Sequence, residues 1–141
     1  MTGERIVFLR TGEETGGELL EMDDFWADAD HRTPEHIHPA MEERWEVIAG
    51  SVCFRVDGLE RMTGPGETLL APPGTPHSAR NVGGGPAHLR IQMRPALRWQ
   101  VFVERLFALS AHDGVAESAE IRAVGLAELV AEFDREIAPA R

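Results

Sequence analysis

Between residues 5 and 94 the apolar stretches are short, and each is broken by glycine, proline or an Asp-Gly pair before it can extend into a helix. That punctuation is the pattern of successive β-strands. Val52, Phe54 and Val56 alternate with Ser51, Cys53, Arg55 and Asp57, and Asp57-Gly58 supplies a tight hairpin turn before Leu59. Thr63-Gly64-Pro65-Gly66 and Val82-Gly83-Gly84-Gly85-Pro86 make two further breaks. Ala87, Leu89, Ile91 and Met93 alternate with His88, Arg90, Gln92 and Arg94, so a last strand presents one apolar face until Pro95 ends it. Beyond Pro95 the period changes. Trp99, Phe102, Val103, Leu106 and Leu109 recur at helical spacing with Gly114 as a stop, which predicts a helix near 97–110. Leu126, Leu129, Val130, Phe133 and Ile137 predict a second amphipathic stretch that frays into Ala138-Pro139-Ala140-Arg141. Helices that follow strands without interleaving favour an all-β barrel or sandwich with a C-terminal helical extension over a βαβ sheet. The expected division is a barrel over residues 1–95 and a helical extension over 96–141, packed on the barrel or across a dimer interface.

A chain of 141 residues with 43% hydrophobic content fits one globular unit with one core. Its 14 basic residues are outnumbered by 24 acidic ones and form no patch along the sequence, which argues against nucleic acid or an anionic membrane as partner. All 14 are arginine, so no mechanism can use a lysine Schiff base or a lysine general base. Tyrosine is absent, which removes the phenolic acids. Cys53 is the only cysteine, so an intrachain disulfide, a zinc ribbon or a thiol pair is impossible and a reducing compartment fits best. Met1 to Ile6 has no basic stretch followed by an apolar run, and no segment approaches membrane-spanning length. The expectation is a cytoplasmic protein.

Two segments carry the chemistry. The first is His36-Ile37-His38 with Glu43 and Gly50; the second runs Gly66, Pro72-Pro73-Gly74-Thr75-Pro76-His77, Asn81. Three imidazoles and a carboxylate can hold one transition metal ion. Histidines two apart project to the same side of a strand, with α-carbons about 6.6 Å apart, and so can converge on one ion. A helix would need i, i+4 spacing, and Pro34 and Pro39 on either side argue against one. The carboxylate is Glu43 or Glu42. Glu43 shares its face with Trp45, Val47 and Ala49, whereas Glu42 lies with Arg44 and Glu46, so parity favours Glu43 as the inward group. His77 follows a Pro-Gly turn that starts another strand and can bring it across the barrel.

These residues resemble the two motifs of the cupin superfamily. The first motif reads His-x-His, three or four residues, Glu, six residues, Gly, and is met by His36, His38, Glu43 and Gly50 with the four-residue gap. The second reads Gly, five residues, Pro-x-Gly, two residues, His, three residues, Asn, and is met by Gly66, Pro72, Gly74, His77 and Asn81. The 15 residues between Gly50 and Gly66 are similar to the short spacing of compact microbial members. One departure is Asp30, which stands where a glycine often precedes the first histidine by six residues. The resemblance covers about residues 15–94. It implies a double-stranded β-helix, the jelly-roll barrel, with the metal inside, and it carries the ligand roles onto His36, His38, Glu43 and His77. The implied cofactor is one divalent ion of Fe, Mn, Ni or Zn.

The superfamily includes oxygenases, isomerases, decarboxylases, cyclases, sensors and storage proteins, so the reaction is not implied. Four protein ligands on an ion that prefers six leave about two adjacent positions, enough for a chelating small-molecule substrate or for one substrate atom and dioxygen. The leading expectation is a dioxygenase acting on an enol, diketone or phenolic substrate. Glu43 counts against thiol dioxygenase relatives, which resemble three-histidine sites, and the absence of tyrosine counts against sugar epimerase relatives. The alternatives are a Lewis-acid cyclase, isomerase or decarboxylase and a non-catalytic metabolite-binding module; a homodimer is the expected assembly. Outside the motifs, His31, His88 and His112 read as surface or hydrogen-bonded histidines, Trp45 and Phe54 as core, Asn81 as a turn-ordering residue and Cys53 as a buried small hydrophobe. Arg90 and Gln92 can face either the interior or solvent.

Overall fold

A computed structural model describes residues 3–110 and 119–140. Nine strands come first: β1 (Glu4–Arg10), β2 (Leu20–Trp26), β3 (Arg32–Ile37), β4 (Glu42–Ala49), β5 (Val52–Val56), β6 (Leu59–Thr63), β7 (Thr68–Ala71), β8 (His77–Asn81) and β9 (Ala87–Arg94). Two helices, α1 (Trp99–Ser110) and α2 (Ala119–Glu132), and a short strand β10 (Ala138–Pro139) follow. Two antiparallel five-stranded sheets, ordered β1-β2-β9-β4-β7 and β10-β3-β8-β5-β6, face each other as a jelly-roll barrel.

Alternation along the strands fills the space between the sheets. Leu20, Met93, Glu43 and Ala71 fall in one register row of the first sheet, and Met22, Ile91, Trp45 and Leu69 in the next. All of these are buried except Leu69, which is half-buried, so Glu43 is a carboxylate set in an otherwise apolar row. Arg90 and Gln92 turn outward on the same sheet, where Arg90 pairs with Asp23 and Gln92 donates to Glu21. The turns follow from local chemistry. Asp57 (φ 53°) and Gly58 (φ 80°) form the two-residue connection between β5 and β6 with both central residues left-handed. Gly50, at φ 91°, packs so closely on the turn before β9 that a Cβ would lie 2.8 Å from the Pro86 carbonyl oxygen. Asp30, the departure from the motif, sits exposed in the turn between β2 and β3, which closes through His31 N–H to the Asp28 carbonyl.

The C-terminal residues differ from their sequence pattern in two ways. The second helix ends at Glu132, so Phe133 closes it and Ile137 lies beyond it. The tail, expected to fray, instead pairs antiparallel with β3, Ala138 against Ile37 and Pro139 against His36. Proline at 139 forces Ala138 toward extended backbone, and the turn at Phe133 to Glu136 aims the chain at the free edge of β3. Trp99, Phe102, Val103, Leu129 and Phe133 join the barrel's own hydrophobic cluster, so the apolar stripe of α1 packs within the chain. Gly114 and His112 lie outside the described residues. No helix among the described residues is long and apolar enough to cross a membrane.

Candidate metal centre

His36 lies near the end of β3, His38 just beyond it, Glu43 near the start of β4, and His77 opens β8. His36 and His77 are register partners across β3 and β8, while Glu43 approaches from the opposite sheet. One ligand atom from each of the four lies within 4.8 Å of the others. The imidazole centroids are 4.4 to 4.9 Å apart. His38 Nε2 is 2.8 Å from Glu43 Oε1, and His77 Nε2 is 3.2 Å from the same oxygen.

The other ring nitrogen of each histidine is held by a backbone carbonyl. His36 Nδ1–H donates to Pro34 O at 2.8 Å, His38 Nδ1–H to Glu136 O at 2.7 Å, and His77 Nδ1–H to Thr75 O at 2.9 Å. A carbonyl only accepts, so each Nδ1 carries a proton and the three Nε2 atoms are the ones directed at the common point. This is the arrangement that fixes tautomer and ring orientation in metal-ligating histidines. The donor set therefore fits one divalent transition ion.

Electrostatics agree with that fit. Burial alone would push the Glu43 carboxyl up, but the imidazoles of His38 and His77 hold it well below the usual carboxylate range, so it is anionic. Burial, with the neighbouring charges of His38 and His77, lowers His36 to about 4 and leaves its imidazole neutral at pH 7. Burial also acts to lower His77, but the Glu43 carboxylate outweighs it and raises that histidine above its ordinary value.

Aromatic rings shape the surroundings. Trp45 packs against Phe54 at 4.9 Å and meets His77 edge-on at 5.3 Å, and Trp99 from α1 meets His38 edge-on at 4.8 Å. His38, His77 and Glu43 are buried, with exposures of 1%, 2% and 7%, whereas His36 is only half-buried. Approach from solvent is therefore on the His36 side.

The sequence pattern did not reveal the part played by Glu136. Its carbonyl orients His38, and its own side chain is 2% exposed. Glu136 Oε2 accepts from the Arg98 backbone N–H at 3.2 Å, and Oε1 lies 3.7 Å from Arg98 Nη2. Arg98 also donates to Glu132 O at 3.0 Å and covers the Phe133 ring at 4.3 Å. The start of α1 and the turn after α2 are thus locked together at the residue that holds His38. At helical spacing Glu136 falls three residues after Phe133 and seven after Leu129, a carboxylate at the edge of the apolar stripe, and Pro139 hinted that the helix stops short.

The remaining candidates fall elsewhere. Glu42 is not in the four-residue group; it pairs in register with Arg94. His31 packs on Trp26 at 4.5 Å, and His88 stacks on Phe25 at 4.2 Å with Nε2 3.3 Å from Asp23 Oδ2. Asn81 Nδ2 donates to the Asp28 and Gly85 carbonyls, and Gly83 N–H donates to its Oδ1, tying two turns together. Cys53 is buried on the outward side of β5 against Arg80.

Comparison with known proteins bears on the fold. A family model described as a cupin domain matches residues 27–92, which contain all four candidate ligands. The structure is similar to an RmlC-like cupin from Shewanella frigidimarina, with a TM-score of 0.62 and 20% identity over 71% of this chain and 83% of that one. It is similar to KdgF from a Halomonas species, with a TM-score of 0.60 and 18% identity over 66% of this chain and 79% of that one. A predicted oxalate decarboxylase from Thermotoga maritima gives a TM-score of 0.62 and 16% identity over 65% and 80% of the respective chains. No curated protein matches at the sequence level.

Proposed function

The chain belongs to the cupin superfamily, and from that premise we propose that it is a metal-dependent enzyme acting on a small oxygen-chelating molecule, first of all a dioxygenase of an enol, diketone or phenolic substrate. The observation that carries this reading is the triple pinning of Nδ1 on His36, His38 and His77, which commits three Nε2 atoms and the Glu43 carboxylate to one point. A divalent ion bound there supplies Lewis acidity and, if redox-active, one-electron chemistry with dioxygen.

The protein's own groups define the rest. Glu43 contributes the one negative charge, so a 2+ ion keeps a net positive charge that favours an enolate or phenolate oxygen as an added ligand. Neutral His36, at the solvent side, leaves the approach free of a competing cation. Trp45, Phe54 and Trp99 exclude water from the inner side of the site and strengthen the electrostatics within it. Oxygen uptake by the Fe-, Mn- or Ni-loaded protein with candidate enols is the expected result. Equal turnover under strict anaerobiosis contradicts the dioxygenase reading.

A second reading uses the ion only as a Lewis acid, in decarboxylation or isomerisation of a small oxy-acid. The likeness to a predicted oxalate decarboxylase favours it. Full activity with redox-inert Zn would select it over the first.

A further inference from the structure

The outer face of the second sheet collects arginines that the candidate metal centre does not use. The register sets Arg32 opposite Arg80 across β3 and β8, and Arg80 opposite Cys53 on β5. One row away on the same face, Ser78 lies opposite Arg55, and Arg55 opposite Glu60 on β6. Together these side chains line a depression of about 210 Å³. Among the described residues, none of the three guanidinium groups makes an ion pair with a carboxylate; Arg80 reaches only Cys53 Sγ, at 3.8 Å.

The chain has a net charge of −10, so carboxylates are in surplus. A depression of about 240 Å³ on the outer face of the first sheet differs: Arg44 and Arg90 there share the lining with Glu21 and Glu46, and Arg90 is held by both oxygens of Asp23 at 2.9 and 3.1 Å. On the second sheet, Arg32 and Arg80 instead stand directly opposite as like charges, an arrangement that destabilises a sheet unless a counter-charge joins it.

We propose that this depression is a binding site for a small phosphate-bearing molecule. Three guanidinium groups less the Glu60 carboxylate leave two positive charges, which match the roughly −1.5 to −2 of a phosphate monoester near neutrality. Guanidinium forks and the Ser78 hydroxyl are donors of the kind that recognise phosphate oxygens. A monocarboxylate would leave one positive charge unmatched. The site lies back to back with the candidate metal centre, because β3 and β8 also carry His36 and His77.

The test is titration with inorganic phosphate, followed by calorimetry and by phosphorus NMR line-broadening, at ionic strength held constant with chloride. It uses the full chain, the same chain after chelator treatment and dialysis, and the Arg55→Ala and Arg80→Ala variants, both altered at exposed side chains. Saturable binding is expected in the untreated and the chelator-treated protein, weakened about tenfold or more in each variant, as loss of a charged hydrogen-bond donor implies, with no response to chloride. Three results would overturn the proposal: no saturable binding, equal binding in the arginine variants, or binding that disappears with chelation. Arginine-dependent binding to vesicles of anionic phospholipid without binding of free phosphate would likewise overturn it, in favour of a membrane surface.

Discussion

The barrel and the C-terminal segment contribute to the candidate centre in different ways. His36, His38, Glu43 and His77 come from two short stretches whose spacing is tied to strand period and turn geometry. The atom that orients His38 comes from Glu136, 98 residues away in sequence, and it is a backbone carbonyl that leaves no side-chain signature. Donors must be of particular residue types, whereas their orientation can be set by any residue whose main chain passes at the right place. Motif and tail are therefore parts of one site with unequal visibility.

The comparison can be broken first at the donors. Glu43→Gln removes the anionic ligand, and since a four-ligand structural site is worth about 10–16 kcal/mol in total, affinity for a divalent ion should fall on the order of a hundredfold. Glu42→Gln should leave it unchanged, because Glu42 is not in the group. Competition with a colorimetric chelator measures both, and equal losses would reverse the parity argument.

Next comes the anchor of the tail. Phe133 is 0% exposed between the helices and the barrel, so Phe133→Ala should cost about 3–5 kcal/mol in urea unfolding. A cost below about 1 kcal/mol would mean that the segment is not part of the cooperative core. Glu136→Ala acts more locally, loosening the turn whose carbonyl holds His38 while keeping every ligand. Metal affinity should fall about 10–100-fold, the usual range for groups that support a ligand. Unchanged affinity would show that the tail covers the site without orienting it.

A separate effect lies in the barrel, away from the ligands. Asp24 faces inward; burial, with the nearby Glu4 carboxylate, pushes its carboxyl up to about 9. It is neutral in the fold at pH 7 but ionised in the unfolded chain above its ordinary pKa near 4, so folding takes up a proton between those values. The stability linked to that proton is full below pH 4 and is lost progressively as pH rises through about 9. In chelator-treated protein, Asp24→Asn should flatten this decline and melt higher than the parent at pH 8, with little difference near pH 4. Parallel melting curves across that range would contradict the assignment.

How far the fold was legible follows from the same physics. Strand alternation, the Asp57-Gly58 turn and the change of period after Pro95 are local, and each reappears in the structure. Parity chose Glu43 because a strand has only two faces. It could not decide whether Arg90 and Gln92 face inward, since that depends on which side of β9 meets the opposite sheet. The tail failed for a related reason. Leu126 to Ile137 keeps helical spacing to its end, and only the unpaired edge of β3 diverts Ala138 and Pro139 into a strand. A free strand edge is a product of the whole fold, so no local pattern announces it.

The central claim is that three carbonyl-anchored imidazoles and Glu43 hold one ion. Elemental analysis of the purified protein beside a His77→Ala variant, with circular dichroism to establish that both are folded, tests it most directly. The account predicts about one transition metal ion per chain in the parent and a near-complete loss in the variant. Equal metal content in two folded proteins would contradict it.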